Sequence, residues 1–171
     1  PSYCDKYERS GIRMEDLYAP DFKERLKEQT ELNLALLKVY DPETDYTKEL
    51  DFDKMFAEYS DYAAEVEQYV WDTLTLLHKA VADHIKVGVE GAQATLLDID
   101  FGSYPYVTSS NPTIGGILTG TGLSASDIGN VYGVIKAYSS RVGEGPYVTE
   151  LLDATGDKIR ELGHEYGTTT G

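Results

Sequence analysis

Cysteine is nearly absent. The 171-residue sequence has one, Cys4, which rules out an internal disulfide framework and fits a reducing compartment, here expected to be the cytoplasm. No apolar run approaches the ~20 residues that span a bilayer, and the polar start PSYCDKYERSG lacks the pattern of a signal peptide. Residue 1 is Pro rather than Met, as expected of an excised piece or a trimmed chain. Positive charge is also scarce: 15 Lys and Arg stand against 30 Asp and Glu, a formal net charge of −15. Non-specific nucleic-acid binding is thereby disfavoured, while a small anion is still open to a locally basic cluster. The sequence contains no GxxxxGK[ST], hence no Walker phosphate loop. Its three histidines, His78, His84 and His164, have no metal-ligand spacing, and His78, beside Leu74 and Val81, reads as a packing residue.

What is present divides the chain in two. Residues 13–84 contain no glycine and carry helical periodicity, whereas residues 85–171 hold fifteen of the sixteen glycines. In the first part, Asp21 and Glu24 after Pro20 predict a capping box. Phe22, Leu26, Thr30, Leu34 and Leu37 then fall on one helix face. Met55, Tyr59, Tyr62, Val66, Tyr69 and Val70 repeat the spacing, as do Leu74, Leu77 and Val81. The intervening YDPETDYTKELD is a polar connection, and the acids between 51 and 72 face only Lys54, a solvated helix face. In the second part, 85–89 and 131–142 predict strands. Ser124 or Ser126 is placed to cap one short helix, and Asp153 another that ends at Gly163 with Ile159 and Leu162 inward. Strands alternating with helices imply a piece of a parallel α/β sheet, whose ligands collect beyond the carboxyl ends of the strands.

Two loops lie there, 91–111 and 143–150. The first is far longer than the about two to six residues a bare connection needs. Gln93 can donate and accept at once, which suits a nucleobase edge or equally a loop brace. Thr108, Ser109, Ser110 and Asn111 suit a phosphate ahead of a helix N-terminus near Thr113, or a turn with helix capping. Asp98 and Asp100 suit Mg²⁺ as a pair, but residues i and i+2 point to opposite sides of an extended chain, which favours pairing of one with an arginine. Lys6, Arg9 and Arg13, at i, i+3 and i+7, would line one helix face and hold a phosphate, or pair in solvent with Asp5 and Glu8.

Taken in order, VEGAQATLLDIDFGSYPYVTSSNPTIGG, KAYSSRVGEGPYVTEL and GHEYGTTTG strongly resemble adenylosuccinate synthetase, and DKYERSGIRMEDL resembles the stretch ahead of that family's helical region. The resemblance is dense over 85–171 and thinner over 21–84. It implies an α/β fold: a partial parallel sheet of a P-loop-NTPase-like synthetase with a helical N-terminal lobe. Residues 1–84 would form the mainly helical region and 85–171 the α/β region with IMP-binding loops, both within one larger enzyme. That family is a ligase of purine nucleotide biosynthesis. It joins IMP and L-aspartate at the expense of GTP, with Mg²⁺: the γ-phosphoryl group is placed on the purine 6-oxygen and the aspartate amino group displaces phosphate.

By the same resemblance Gln93 contacts IMP, Thr108 helps hold its 5′-phosphate and Val142 lines the ribose. Arg9 reaches the IMP phosphate of the other subunit in a homodimer, and Thr169 and Thr170 belong to the loop that closes over L-aspartate. An ion pair between Asp100 and Arg13 across that dimer interface is a further expectation, from their charges. The family's glycine-rich phosphate loop with its catalytic aspartate, its catalytic histidine and its guanine-reading part have no counterpart here. The segment is therefore expected to be inactive alone, without strong binding of GTP or Mg²⁺, and without nucleic-acid or membrane partners. The rival readings are a non-catalytic dimerisation module and a generic phosphate-ester-binding domain.

Overall fold

The computed structural model describes residues 2–164, which fall into two compact units, one up to Asp72 and one from Thr73 onward. The first is helical. Helix α1 spans Ser2–Glu8, a 3₁₀ turn Met14–Tyr18, α2 Phe22–Tyr40 and α3 Phe52–Val66, followed by a second 3₁₀ turn Glu67–Tyr69. The stripe read from the sequence is the packed face of α2: Phe22, Leu26 and Thr30 are buried, and the Thr30 hydroxyl is satisfied by donating to the Leu26 carbonyl at 2.7 Å. Against it α3 sets Ala63, its buried residue, and Phe56, whose ring centroid is 5.8 Å from that of Phe22. Tyr59 and Tyr62, read as part of the inward face, are exposed; they meet each other edge to face at 5.8 Å. The 3₁₀ turn is tied to both helices. Tyr18 donates to the Ala63 carbonyl at 2.9 Å, and Arg25 pairs with Asp16 at 2.9 Å and Asp21 at 2.8 Å. Asp21 is thereby spent on Arg25 and makes no side-chain cap, so the expected capping box is not formed. Asp51 does cap α3, accepting from the Lys54 N–H at 3.0 Å.

The second unit comprises α4 (Thr73–Ala82), a 3₁₀ turn Thr95–Leu97, α5 (Ile114–Thr121), a 3₁₀ turn Ala125–Asp127 and α6 (Ala154–Gly163). Asp153 caps α6 as read, accepting from the N–H groups of Thr155 and Gly156 at 2.9 and 3.0 Å. Ser124 caps the Ala125–Asp127 turn, its N–H donating to Asp127 at 3.0 Å. Leu162, expected inward, is exposed while Ile159 is half-buried, and His78 is exposed rather than packed.

The expected strands are the principal correction. No residue of 85–89 or 131–142 is in a strand, and no strand is formed among the described residues; the parallel sheet is not present in them. The reason is pairing. A parallel strand must hand its N–H and C=O groups to a neighbour, and neither segment has a ladder partner among the described residues. Their apolar side chains stay in solvent, Val134 at 95% exposure and Ile135 at 92%.

Candidate functional site

The long loop after residue 89 holds its shape by folding back on itself. The Thr108 N–H donates to the Leu97 carbonyl at 2.9 Å and the Ile99 N–H to the Ser110 carbonyl at 3.1 Å, which lays the returning arm against the outgoing one. At the centre is Asp98, with 0% of its surface exposed. One carboxylate oxygen accepts from the N–H groups of Asp100 (2.9 Å) and Phe101 (3.1 Å) and from the Asn111 amide (3.1 Å). The other accepts from the Thr113 hydroxyl at 3.2 Å. Burial pushes the Asp98 carboxyl up, but these donors together outweigh it and hold the group below its ordinary value. All four are neutral, so a buried charge is carried here by hydrogen bonds alone, as burial of an ion requires.

This role was missed in the sequence, where Asp98 suggested a metal or an arginine partner. The available signal was an aspartate directly ahead of a turn, the Asx-turn arrangement. Asp98 and Asp100 are indeed brought together, but by Asn111, which also donates to Asp100 at 2.7 Å. Among the described residues no group of three or more His, Cys, Asp or Glu is arranged to hold a metal ion. Gly116 closes the scaffold: a Cβ there would stand 1.8 Å from the Asn111 carbonyl oxygen, an approach open only to glycine.

On this scaffold two of the expected site residues meet. Gln93 is exposed, with its backbone in the left-handed region at φ 61°. The Ser110 hydroxyl donates to its side-chain oxygen at 3.4 Å, and lies 2.8 Å from the Thr108 hydroxyl. Ser110 therefore joins Gln93 and Thr108 into one row of amide and hydroxyl groups. Helix α5 begins at Ile114, directly after the loop, with Thr113 at its N-cap position; its first N–H groups carry partial positive charge.

The other expected residues lie apart from this row. Val142 is exposed and follows Arg141, whose guanidinium reaches the Ser103 hydroxyl and the Tyr106 carbonyl. Arg9 belongs to the first unit and follows the last residue of α1, with φ 65°. Because α1 ends at Glu8, Lys6, Arg9 and Arg13 do not share one helix face, contrary to expectation. Thr169 and Thr170 lie outside the described residues. A groove of about 390 Å³ in the first unit, lined by Leu34, Lys38, Pro42, Tyr46 and Thr47 among others, contains none of the candidate residues. No helix among the described residues is long and apolar enough to cross a membrane.

Amide and hydroxyl groups presented on a rigid loop are the parts from which small-molecule sites are built. The family in which these parts occur here follows from comparison: the adenylosuccinate synthetase model matches residues 1–171, and the chain belongs to that family. It is 50% identical over 173 residues to an adenylosuccinate synthetase of Streptococcus sanguinis (strain SK36), covering 100% of this chain and 39% of that protein. A solved structure of fully ligated adenylosuccinate synthetase from Plasmodium falciparum matches with a TM-score of 0.86 at 38% identity, over 99% of this chain and 38% of that one. The chain thus has the fold of its relatives over about two fifths of their length.

Proposed function

We propose that this chain is the IMP-binding segment of an adenylosuccinate synthetase, a cytoplasmic, GTP- and Mg²⁺-dependent ligase that joins IMP and L-aspartate in purine nucleotide biosynthesis. The observation that carries the reading is the Gln93–Ser110–Thr108 row, in which a side-chain amide and a hydroxyl are joined through Ser110. In this reading Gln93 addresses the hypoxanthine edge, Thr108 the 5′-phosphate and Val142 the ribose. Arg9 reaches the IMP phosphate bound by the other subunit of a homodimer, and Thr169 and Thr170 close over L-aspartate.

The contribution of these groups to phosphoryl transfer is positioning: they hold the purine 6-oxygen in place for attack, with binding energy taken from the far parts of the nucleotide. In this reading Mg²⁺ and GTP are held by other parts of the enzyme, and the segment alone is inactive. The apolar segment 131–135, exposed here, is covered in the whole enzyme by neighbouring strands.

The test compares IMP with ribose 5-phosphate by calorimetry, in the wild-type chain and in Gln93→Ala. IMP should bind more tightly than ribose 5-phosphate, and Gln93→Ala should cost about tenfold in IMP affinity while leaving ribose 5-phosphate unchanged. Equal binding of both ligands in the wild type would make the loop a generic phosphate-ester binder instead.

A further inference from the structure

The sequence assigned no role to Arg141, which precedes Val142. Its guanidinium makes two hydrogen bonds across long stretches of chain, one nitrogen donating to the Ser103 hydroxyl at 3.0 Å and the other to the Tyr106 carbonyl at 2.8 Å. Its Nε is buried without a partner, so the grip rests on these two bonds. The two segments also touch directly. Gly145, at φ +115°, approaches so closely that a Cβ would lie 2.7 Å from the Tyr106 Cβ and 2.8 Å from an Arg141 terminal nitrogen. From Ser103 the connection continues inward: its N–H donates to the Leu96 carbonyl at 3.0 Å, and the adjoining Leu97 carbonyl receives the Thr108 N–H at 2.9 Å.

We infer that Arg141 is a positioning residue, a two-pronged clamp that fixes the 141–145 loop against the 103–106 loop. On the reading proposed above, on which this part rests, the clamp keeps Val142 in register with Thr108, so that the ribose side and the phosphate side of the site are set by one contact. A guanidinium suits the task because its planar fork reaches two acceptors at fixed geometry; a lysine ammonium on a flexible stem cannot hold both in that way.

The test uses the full chain with Arg141→Lys, Ser103→Ala and the double variant. Amide hydrogen exchange is followed at residues 142–145, with IMP affinity by calorimetry and the thermal midpoint alongside. Both single variants should speed exchange at 142–145 about tenfold and weaken IMP about tenfold with little change in midpoint, and the double variant should add little to Arg141→Lys alone. A parallel loss of midpoint and affinity, additive in the double variant, would reduce Arg141 to a general stabiliser and overturn the inference. Unchanged exchange at 142–145 in both single variants would overturn it as well. Coupled exchange in a chain that binds no IMP would uphold the clamp and refute the nucleotide reading, so the two failures are distinguishable.

Discussion

The two units of this chain are held together by different physics. The first is an apolar assembly: Phe22 and Leu26 of α2 are buried, α3 packs against them with Phe56 and Ala63, and the polar members of the interface are satisfied locally. The second buries little apolar surface, with Leu123 its buried large apolar side chain among the described residues. It is organised instead around a buried carboxylate, Asp98, and a set of short backbone bonds. Apolar packing tolerates sliding and repacking, because a Leu or Phe contact has no fixed direction. A buried carboxylate with four donors does not, because each bond has a preferred distance and angle and each lost donor leaves charge uncompensated. On the function proposed above, the second arrangement holds a hydroxyl and an amide at fixed positions before a ligand arrives, which reduces the ordering cost of binding.

The contrast can be broken from either side. The largest effect is expected at Gly116. Gly116→Ala forces a methyl group against the Asn111 carbonyl and should destabilise the second unit by upward of about 3 kcal/mol, seen as loss of exchange protection from residue 97 onward with the first unit unchanged. Leu26→Ala should do the reverse, removing about 2 to 3 kcal/mol from the helical unit while the Asp98 loop keeps its protection. If either variant unfolded both units equally, the division of labour described above would be wrong. Next in size is Thr108→Ala, which should weaken IMP about tenfold with no loss of helix content by circular dichroism.

The smallest effect is on pH dependence. The folded state lowers the pKa of Asp98, so its contribution is complete above the ordinary carboxyl value and is lost as pH falls through the lower folded value. Acid unfolding of the second unit should therefore steepen below about pH 4 and be blunted in Asp98→Asn. An identical acid arm in the two proteins would mean that the carboxylate charge does not hold the loop.

The apolar unit was the more legible in sequence, for the same reason. Helical spacing marked Phe22, Leu26 and Thr30 as one face because the 3.6-residue period is written in hydrophobicity itself. Where α3 carries apolar side chains on several faces, the pattern could not choose, and Tyr59 and Tyr62 were read inward although Phe56 meets Phe22 and Ala63 is the buried residue of α3. The capping box at Asp21 was lost to a competing charged partner, Arg25, which no local pattern announces. In the second unit, residue chemistry and loop position singled out Gln93 and Thr108 with bland alternatives open, and their specific roles are expectations from the resemblance. Ser110, which joins them, and Arg141, which binds a residue about forty positions earlier, were not singled out for these roles, because such partners are distant in sequence. The segments 85–89 and 131–142 have strand composition, but composition states only what a segment can do when a neighbour is present.

Calorimetric titration of IMP into the folded chain, with inosine as the control lacking phosphate, decides whether the loop of residues 91–113 is the preformed nucleotide wall proposed above. Saturable IMP binding is expected, which inosine does not reproduce and which Thr108→Ala weakens about tenfold. No heat at millimolar IMP from a folded sample, or equal binding of IMP and inosine, would contradict it.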